Sequence, residues 1–334
     1  MVYLDDFFFD VTDQYHIYRD ISELPERCDI IAKTFYHLRP PEDIKKTVRL
    51  LKSRCRKLVV MINEPTGDSV SLKELLYELQ DPDIHFFGDA VLNFNYPNWQ
   101  TDISWFITAR NFYAQDPWAQ YLLTMISTSL DKPLMFDCLL GRTRSHRDSI
   151  AEFYKHSPYQ DCFYYTYFAD NMHQGHWDID LQETSLTSDT IKYCGSMVNI
   201  SAILPVDIYN QTYYSIVAES SCINDHSHFT EKVAKPLMCQ RPFVAFSGQH
   251  YLKNLRKLGF KTFDNVIDER YDLEPNQDIR MQMAWKQVEW LCQQNPKDIL
   301  DGLHSILLYN AQHFIQTDWH ANVKQFIQQE SGAG

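Results

Sequence analysis

Short apolar runs alternate with stretches of helical periodicity along the chain, and this alternation limits the folds open to it. Parallel strands need a crossover between them, so strands that alternate with helices predict βαβ units and a mostly parallel sheet. In the first 90 residues, the predicted strands are Val2–Phe9, Ile30–Tyr36, Leu58–Ile62 and Ile84–Phe87, and the predicted helices are Asp43–Arg56 and Ser71–Leu79.

The same alternation returns after Pro133. A helix over Tyr251–Leu258 is closed by Gly259, where a left-handed cap is expected. The tail is helical, with apolar residues at helical spacing. The pattern predicts two α/β halves in tandem with C-terminal helices. The predicted strands here are Pro133–Leu139, Phe163–Phe168, Ser215–Ala218 and Pro242–Phe246, a further helix starts near His146, and the apolar tail positions include Met281, Ala284, Val288, Leu291, Ile299, Leu303, Ile306, Leu307 and Phe314.

Charge and glycine content narrow the function classes. The 334 residues carry a formal net charge of −13, which disfavours a protein that grips nucleic acid mainly through bulk charge. The ten glycines form neither a dinucleotide-binding fingerprint nor a P-loop. A phosphate site is therefore expected to use side chains and helix ends.

The cysteines and the N-terminal segment indicate a cytoplasmic protein. The eight cysteines contain no C-x-x-C pair, which is typical of reduced, packed thiols. Asp5 and Asp6 stand where a signal peptide would be basic, and no apolar run reaches the roughly 18 residues of a membrane span.

An unusual cluster of arginines lies in the segment Gly141–Arg147. It follows a predicted strand, and Ser145 with Asp148 resembles a capping box that opens a helix. Arg142, Arg144 and Arg147 at a helix N-terminus oppose the helix dipole unless an anion joins them. Guanidinium groups and helix N–H groups together suit a diphosphate. The alternative is a solvated loop whose arginines pair with carboxylates of this acidic chain.

A second candidate segment runs from Glu219 to Pro242. Glu219 stands at the carboxyl end of a predicted strand, the edge that faces the ligand crevice in open α/β sheets. Thr230, Glu231 and Lys232 open a short helical stretch. A carboxylate here suits ribose hydroxyls and the lysine suits a phosphate, although each residue taken alone is also an ordinary surface charge.

The order of these elements resembles a known family. The block Tyr214–Leu252, with E-S-S, F-T-E-K, K-P and R-P-F, is similar to the donor-binding half of GT-B glycosyltransferases, in particular the fucosyltransferase-like group. Cys138–Arg147 resembles an upstream arginine-rich element of related bacterial and phage-encoded transferases. G-F-K-T-F at 259–263 and D-E-R-Y-D at 268–272 match the end of that group's pattern, so the resemblance covers about residues 133–290.

The resemblance implies two Rossmann-like domains facing a cleft, with an acceptor-side domain at 1–130 and a nucleotide-sugar-binding domain at 131–334. It implies that Glu231 faces the ribose or sugar, that Lys232 with Arg142 or Arg147 faces the diphosphate, and that Glu219 lines the crevice. Ser220 and Phe229 depart from the family's Asn and Tyr, which leaves the base and sugar open. No cofactor is expected beyond the nucleotide sugar.

An inverting transfer needs a base to deprotonate the acceptor hydroxyl. Glu64, Asp10 and Asp89 each follow a predicted strand of the first domain and are the candidates, although each suits a turn or cap equally. A retaining transfer needs no such base. The acceptor itself, whether glycan, protein or small molecule, is left open.

Three weaker patterns are also present. Cys222, His226 and His228 have partial zinc-ligand spacing, but no fourth ligand is evident. Asp178 and Asp180 spell a D-x-D in a polar segment. The seven basic residues of Ile44–Lys57 are either a solvated helix face or a dock for a polyanion such as DNA. The basic stretch leaves a phage-type DNA base glycosyltransferase as an alternative, and the departures at Ser220 and Phe229 leave a non-catalytic nucleotide-sugar-binding module as another.

Overall fold

The computed structural model describes residues 2–5, 16–18, 20–36, 41–63, 72–127, 129, 131–141, 143–167, 190–193, 196–199 and 203–331. Helices and parallel sheets make up these ranges, so the α/β class is confirmed. Within the same ranges, no helix combines the length and apolar character that a membrane crossing requires.

The chain divides into two compact units, each assembled from separate stretches of sequence. Unit 1 comprises Met1–Ile107, Ile223–Phe229 and Asp318–Gly334, and unit 2 comprises Thr108–Cys222 and Thr230–Thr317. The domain limits expected from the sequence, 1–130 and 131–334, stay a prediction.

Unit 1 is built on a six-stranded parallel sheet with the order β2-β1-β3-β4-β5-β7. A separate antiparallel pair joins β6 to β13, where His228 lies opposite Ala90. The strands are β1 (Val2–Asp5), β2 (His16–Tyr18), β3 (Cys28–Tyr36), β4 (Cys55–Asn63), β5 (Ile84–Gly88), β6 (Ala90–Leu92), β7 (Trp99–Thr101) and β13 (His226–His228).

Both faces of this sheet are covered by helices, as the apolar strands predict. Successive residues of β4 point to opposite faces: Val60 joins the core under helices α1 (Pro41–Lys52) and α2 (Leu72–Glu78). Met61 joins the core under helix α11 (Ala321–Ser331). Val323 and Ile327 of α11 are fully buried there.

The basic stretch after Ile44 is divided between a helix and a strand. The predicted helix Asp43–Arg56 is wrong at its end, because α1 stops at Lys52 and Arg56 lies on β4. Several of its cations are paired within the chain: Lys45 contacts Glu42 and Glu78, and Lys57 lies 2.6 Å from Glu330. These ion pairs fit a structural surface.

Unit 2 contains a four-stranded parallel sheet with the order β14-β12-β8-β9. Its strands are β8 (Leu134–Leu140), β9 (Phe163–Tyr167), β12 (Thr212–Ala218) and β14 (Phe243–Phe246), and an antiparallel hairpin joins β10 (Thr190–Tyr193) to β11 (Ser196–Asn199). The remaining helices are α3 (Ser104–Gln115), α4 (Pro117–Met125), α5 (Ser145–His156), α6 (Val206–Gln211), α7 (Glu231–Met238), α8 (Tyr251–Lys257), α9 (Gln277–Cys292) and α10 (Pro296–Gln316).

The C-terminal helices follow the predicted periodicity closely. Met281, Ala284, Val288 and Leu291 of α9 are all buried, as are Ile299, Leu303, Leu307 and Phe314 of α10. Gly259 has a φ of 91°, which confirms the predicted left-handed position after α8. The helical signal was strong here because one face of each helix packs against the core.

Arg241, from the R-P-F element, holds the amino edge of the unit 2 sheet together. Its guanidinium is buried and lies 2.7 Å from the Asp137 carboxylate. It also donates to the main-chain carbonyls of Tyr209, Thr212 and Tyr214. This arginine therefore has a structural role in the fold.

Candidate functional site

The strands β8 and β12 lie side by side at the point where the strand order in the sheet of unit 2 reverses. The chain passes from β8 outward to β9, and then places β12 and β14 on the other side of β8. In open parallel sheets, ligands bind outside the carboxyl ends of strands at such a switch point. The residues that follow β8 and β12 here are called the switch-point site: Arg144, His146, Arg147, Glu219, Ser220, Thr230, Glu231 and Lys232.

Two helix starts are anchored at the end of β12. His146, in the first turn of α5, and Thr230, which caps α7, both hydrogen bond to Glu219. N–H groups in the first turn of a helix lack intrahelical partners and attract anions. The switch-point site therefore combines two such starts with basic side chains.

The helix start predicted at Ser145 is confirmed, but the predicted capping box does not form. The helix begins at Ser145, but the cap position is occupied by Arg144, which has no acceptor to offer the first-turn N–H groups. Asp148 instead accepts a hydrogen bond from the Tyr167 hydroxyl. An arginine at this position places a half-buried positive charge at the helix N-terminus.

His146 and Arg147 are buried and share one acceptor. Nε2 of His146 lies 2.8 Å from the main-chain carbonyl oxygen of Glu219, and Nη2 of Arg147 donates to the same oxygen at 3.2 Å. Because a carbonyl only accepts, the proton of the imidazole is on Nε2. Burial, together with the charge of Arg147, lowers the pKa of His146 to about 3, so the ring is neutral at physiological pH.

The Glu219 carboxylate is fully buried and acts as a bracket between two helices. It accepts hydrogen bonds of 2.6 Å from the Thr230 hydroxyl and 2.6 Å from the Tyr251 hydroxyl at the start of α8. Burial raises the pKa of Glu219, while the nearby charge of Lys232 and these donors oppose the rise. In this arrangement the side chain positions Thr230 and Tyr251.

Glu231 and Lys232 form a half-buried ion pair at the start of α7. Nζ of Lys232 lies 2.6 Å from Oε1 of Glu231 and 3.4 Å from the hydroxyl of Ser220. Burial opposes ionisation of Glu231, but the charges of Lys232 and Lys235 outweigh it and lower its pKa to about 2. An anion that approaches Lys232 would compete with Glu231 for the ammonium group.

The structure brings six of the predicted binding residues to this edge of unit 2: Arg144, Arg147, Glu219, Thr230, Glu231 and Lys232. Arg142 lies outside the described residues, as do the catalytic candidates Glu64 and Asp10 and the D-x-D residues Asp178 and Asp180. Their predicted roles stay predictions.

Two acidic residues of the segment 268–272 hold neighbouring parts of unit 2. Glu269 accepts hydrogen bonds from the Thr262 hydroxyl at 2.8 Å and the Phe263 N–H at 2.6 Å. Asp272 accepts from the N–H groups of Leu252 and Lys253 and so caps α8. These acidic residues hold loops and helix ends in unit 2.

Two aspartate–histidine contacts in unit 1 lie where its parallel strands end. Asp102 follows β7 and is buried, and its two carboxylate oxygens lie 3.1 and 3.0 Å from Nδ1 of His320. Asp89 follows β5 and is buried 4.0 Å from Nε2 of His228. Burial raises the pKa of Asp102, and the hydrogen bond from His320 opposes the rise.

Neither Asp102 nor His320 is indicated by a sequence pattern. β7 has three residues, which is too short to show alternation, and His320 is 218 residues further along the chain. The one local signal for this pair is that Asp102 directly follows the short strand Trp99–Thr101.

No group of three or more histidine, cysteine or acidic side chains in the described ranges is placed to hold a metal ion. Cys222 belongs to unit 2, whereas His226 and His228 belong to unit 1.

Comparisons of the chain with protein-family models, curated proteins and solved structures found no match.

Proposed function

We propose that this protein is a glycosyltransferase of the GT-B type and that unit 2 binds its nucleotide-diphosphate sugar at the switch-point site. The observation that carries the proposal is that the predicted donor residues following β8 and those following β12 meet around Glu219, at the strand pair where topology favours a ligand. The two Rossmann-like domains and their facing cleft belong to this proposal.

The charges of the site suit a diphosphate. Arg144, Arg147 and Lys232 supply three cations, and the starts of α5 and α7 supply N–H groups. A diphosphate leaving group gains negative charge as the sugar departs, and preorganised cations and amides stabilise that charge. In this proposal these groups do the work without a metal ion.

Donor binding would separate Glu231 from Lys232. A phosphate oxygen that takes the place of Oε1 beside Nζ leaves the Glu231 carboxylate ready to accept hydrogen bonds. Because the charges of Lys232 and Lys235 lower the pKa of Glu231 to about 2, the group is already an ionised acceptor before the donor binds. Ribose or sugar hydroxyls are donors that suit it.

The acceptor hydroxyl needs a base if the transfer inverts configuration. Glu64, Asp10 and Asp89 are the candidates from the sequence, and the Asp102–His320 pair is a fourth. A carboxylate on Nδ1 keeps the proton of neutral imidazole at that nitrogen and leaves Nε2 as the basic atom. We assign the base that deprotonates the acceptor hydroxyl to unit 1.

Calorimetric titration with GDP-, UDP-, ADP- and CMP-sugars tests the donor site. We expect one base to bind, and the Arg144→Gln and Lys232→Gln variants to lose roughly tenfold or more in affinity, the equivalent of one charge-assisted hydrogen bond. Arg270→Gln is the matched control, since Arg270 is an exposed arginine of unit 2 paired with Asp268. Equal affinities in all variants would contradict the assignment.

Donor hydrolysis separates an enzyme from a non-catalytic binding module. A transferase is expected to release free sugar slowly when water replaces the acceptor, and a binding module is expected to leave the donor intact. A shift of duplex DNA that weakens as salt rises would instead favour the DNA base glycosyltransferase.

A further inference from the structure

Cys28 and Cys55 stand opposite each other on neighbouring strands of unit 1. They are in-register partners of β3 and β4, and the N–H of Cys28 donates to the carbonyl of Arg54 at 2.8 Å. Both side chains pack against the same core cluster, so they lie on the same face of the sheet. Neighbouring strands are about 4.8 Å apart, within the Cα separation of roughly 4.4–6.8 Å that a disulfide spans.

The two thiols line an open pocket of about 530 Å³. Both are half-buried and reduced, with Sγ of Cys28 lying 3.9 Å from the carbonyl oxygen of Pro25 and Sγ of Cys55 lying 3.3 Å from that of Leu51. Partial exposure keeps them accessible to a small molecule. The complete lining is Arg27, Cys28, Asp29, Ser53, Arg54, Cys55 and Arg56.

The pocket carries a positive charge in a chain that is acidic overall. Arg27, Arg54 and Arg56 stand against Asp29, and Nη2 of Arg56 also lies 3.7 Å from Glu330 of α11, so the remaining positive charge that favours an anion comes mainly from Arg27 and Arg54. Arg54 is fixed by a 3.1 Å hydrogen bond from Nη1 to the carbonyl of Ile21. Guanidinium groups bind carboxylates through paired hydrogen bonds.

We propose that this pocket binds a small disulfide that carries carboxylates, and that Cys28 and Cys55 undergo thiol–disulfide exchange with it. The Cys28 thiolate attacks one sulfur of the bound disulfide, and a mixed disulfide forms as the first small thiolate leaves. Cys55 then gives up its proton and attacks the Cys28 sulfur, which expels the second thiolate. Two protein thiols are oxidised to a Cys28–Cys55 disulfide, and the small disulfide is reduced to two thiols.

The order of attack follows from the surroundings of each sulfur. Burial raises the pKa of both thiols, to about 11 for Cys55. At Cys28 the rise also comes chiefly from burial; the charge of Asp29 adds to it and the charge of Arg54 opposes it. Because Sγ of Cys55 is held closer to a carbonyl oxygen than Sγ of Cys28 and the pKa of Cys55 is about 11, we take Cys28 as the first thiol to attack; the exchange rate rises with pH.

Oxidised glutathione is the probe, and peptide mass mapping is the measurement. The protein is used with Cys162→Ser and Cys292→Ser as a matched background, because those two thiols of unit 2 also lie close together. We expect a peptide joined through Cys28 and Cys55 that a reductant separates. With Cys55→Ser, we expect a glutathione adduct that stays on Cys28. Absence of the joined peptide, or an adduct that accumulates on other cysteines first, would overturn the proposal.

The charge of the pocket is tested with a second pair of reagents. Arg27→Gln with Arg56→Gln should slow the reaction with oxidised glutathione by roughly three- to tenfold at low salt. The same variant should react with hydroxyethyl disulfide, which is uncharged, at the unaltered rate. If both reagents respond equally, the pocket does not select an anion.

Discussion

The hydroxyl of Tyr251 donates a 2.6 Å hydrogen bond to the buried carboxylate of Glu219, and this contact ties the start of α8 to the end of β12. Thr230, which caps α7, bonds to the same carboxylate. One acidic side chain thus sets the positions of two helix starts around the switch-point site.

Glu219→Gln should therefore destabilise unit 2. The amide replaces one acceptor oxygen with a donor and faces a hydroxyl or N–H group that needs an acceptor. We expect a loss of about 2 kcal/mol in the free energy of unfolding, measured by urea denaturation. Tyr251→Phe removes one bond and should cost about 1 kcal/mol. A stable Gln variant would show that the carboxylate does not act as a bracket.

Arg241→Met should be among the most damaging substitutions in the chain. It leaves the buried Asp137 carboxylate without its cation, and loss of one partner from a buried pair costs about 3–5 kcal/mol. Adding Asp137→Leu should recover part of that loss, because it removes the unpaired charge. Additive losses in the double variant, read from urea denaturation, would mean that the two side chains are not coupled.

The buried neutral imidazole of His146 makes stability depend on pH. Its pKa is about 3 in the folded protein and about 6.5 when unfolded, so the unfolded state binds the proton first as pH falls. The stabilisation is present above pH 6.5 and is lost as pH falls towards 3. Between pH 6.5 and 5 we expect a loss of about 2 kcal/mol relative to His146→Gln. The free energy of unfolding of both proteins is measured by urea denaturation at each pH. An equal change with pH in the two proteins would contradict the buried neutral state.

Two glycines offer a matched test of backbone requirements. Gly259 has a φ of 91°, and a Cβ there would lie 2.7 Å from Nε2 of His313, so Gly259→Ala should destabilise by at least about 1 kcal/mol. Gly302 lies inside α10, where a Cβ would meet Cγ2 of Val266 at 3.7 Å. Gly302→Ala should stabilise by up to about 1 kcal/mol. Thermal unfolding of both variants checks the opposite signs.

The long helices and the alternation of strands with helices could be predicted from the sequence for a physical reason. Residues such as Ala284 and Leu303 repeat on one buried face, and local periodicity is sufficient to place them. Shorter signals were less secure: no capping box forms at Ser145, because Arg144 occupies the cap position, and the helix predicted to run to Arg56 gave way to β4 at Cys55.

Parts of the site depend on contacts that no local pattern encodes. Glu219 was expected at a strand end, but burial of its carboxylate depends on Thr230 and Tyr251, which fold in from separate elements. The pair of Asp102 and His320 joins positions 218 residues apart. Tertiary packing decides these contacts, and a single sequence contains no direct record of them.

The three-part composition of unit 1 has a consequence for synthesis. Its core under α11 needs Val323 and Ile327, so that face of the sheet stays uncovered on the ribosome until the helix has left the exit tunnel. Unit 2 ends at Thr317 and has all its residues earlier. The unit that begins first along the chain is therefore the one completed last, and its exposed apolar strands are what a chaperone would meet during translation.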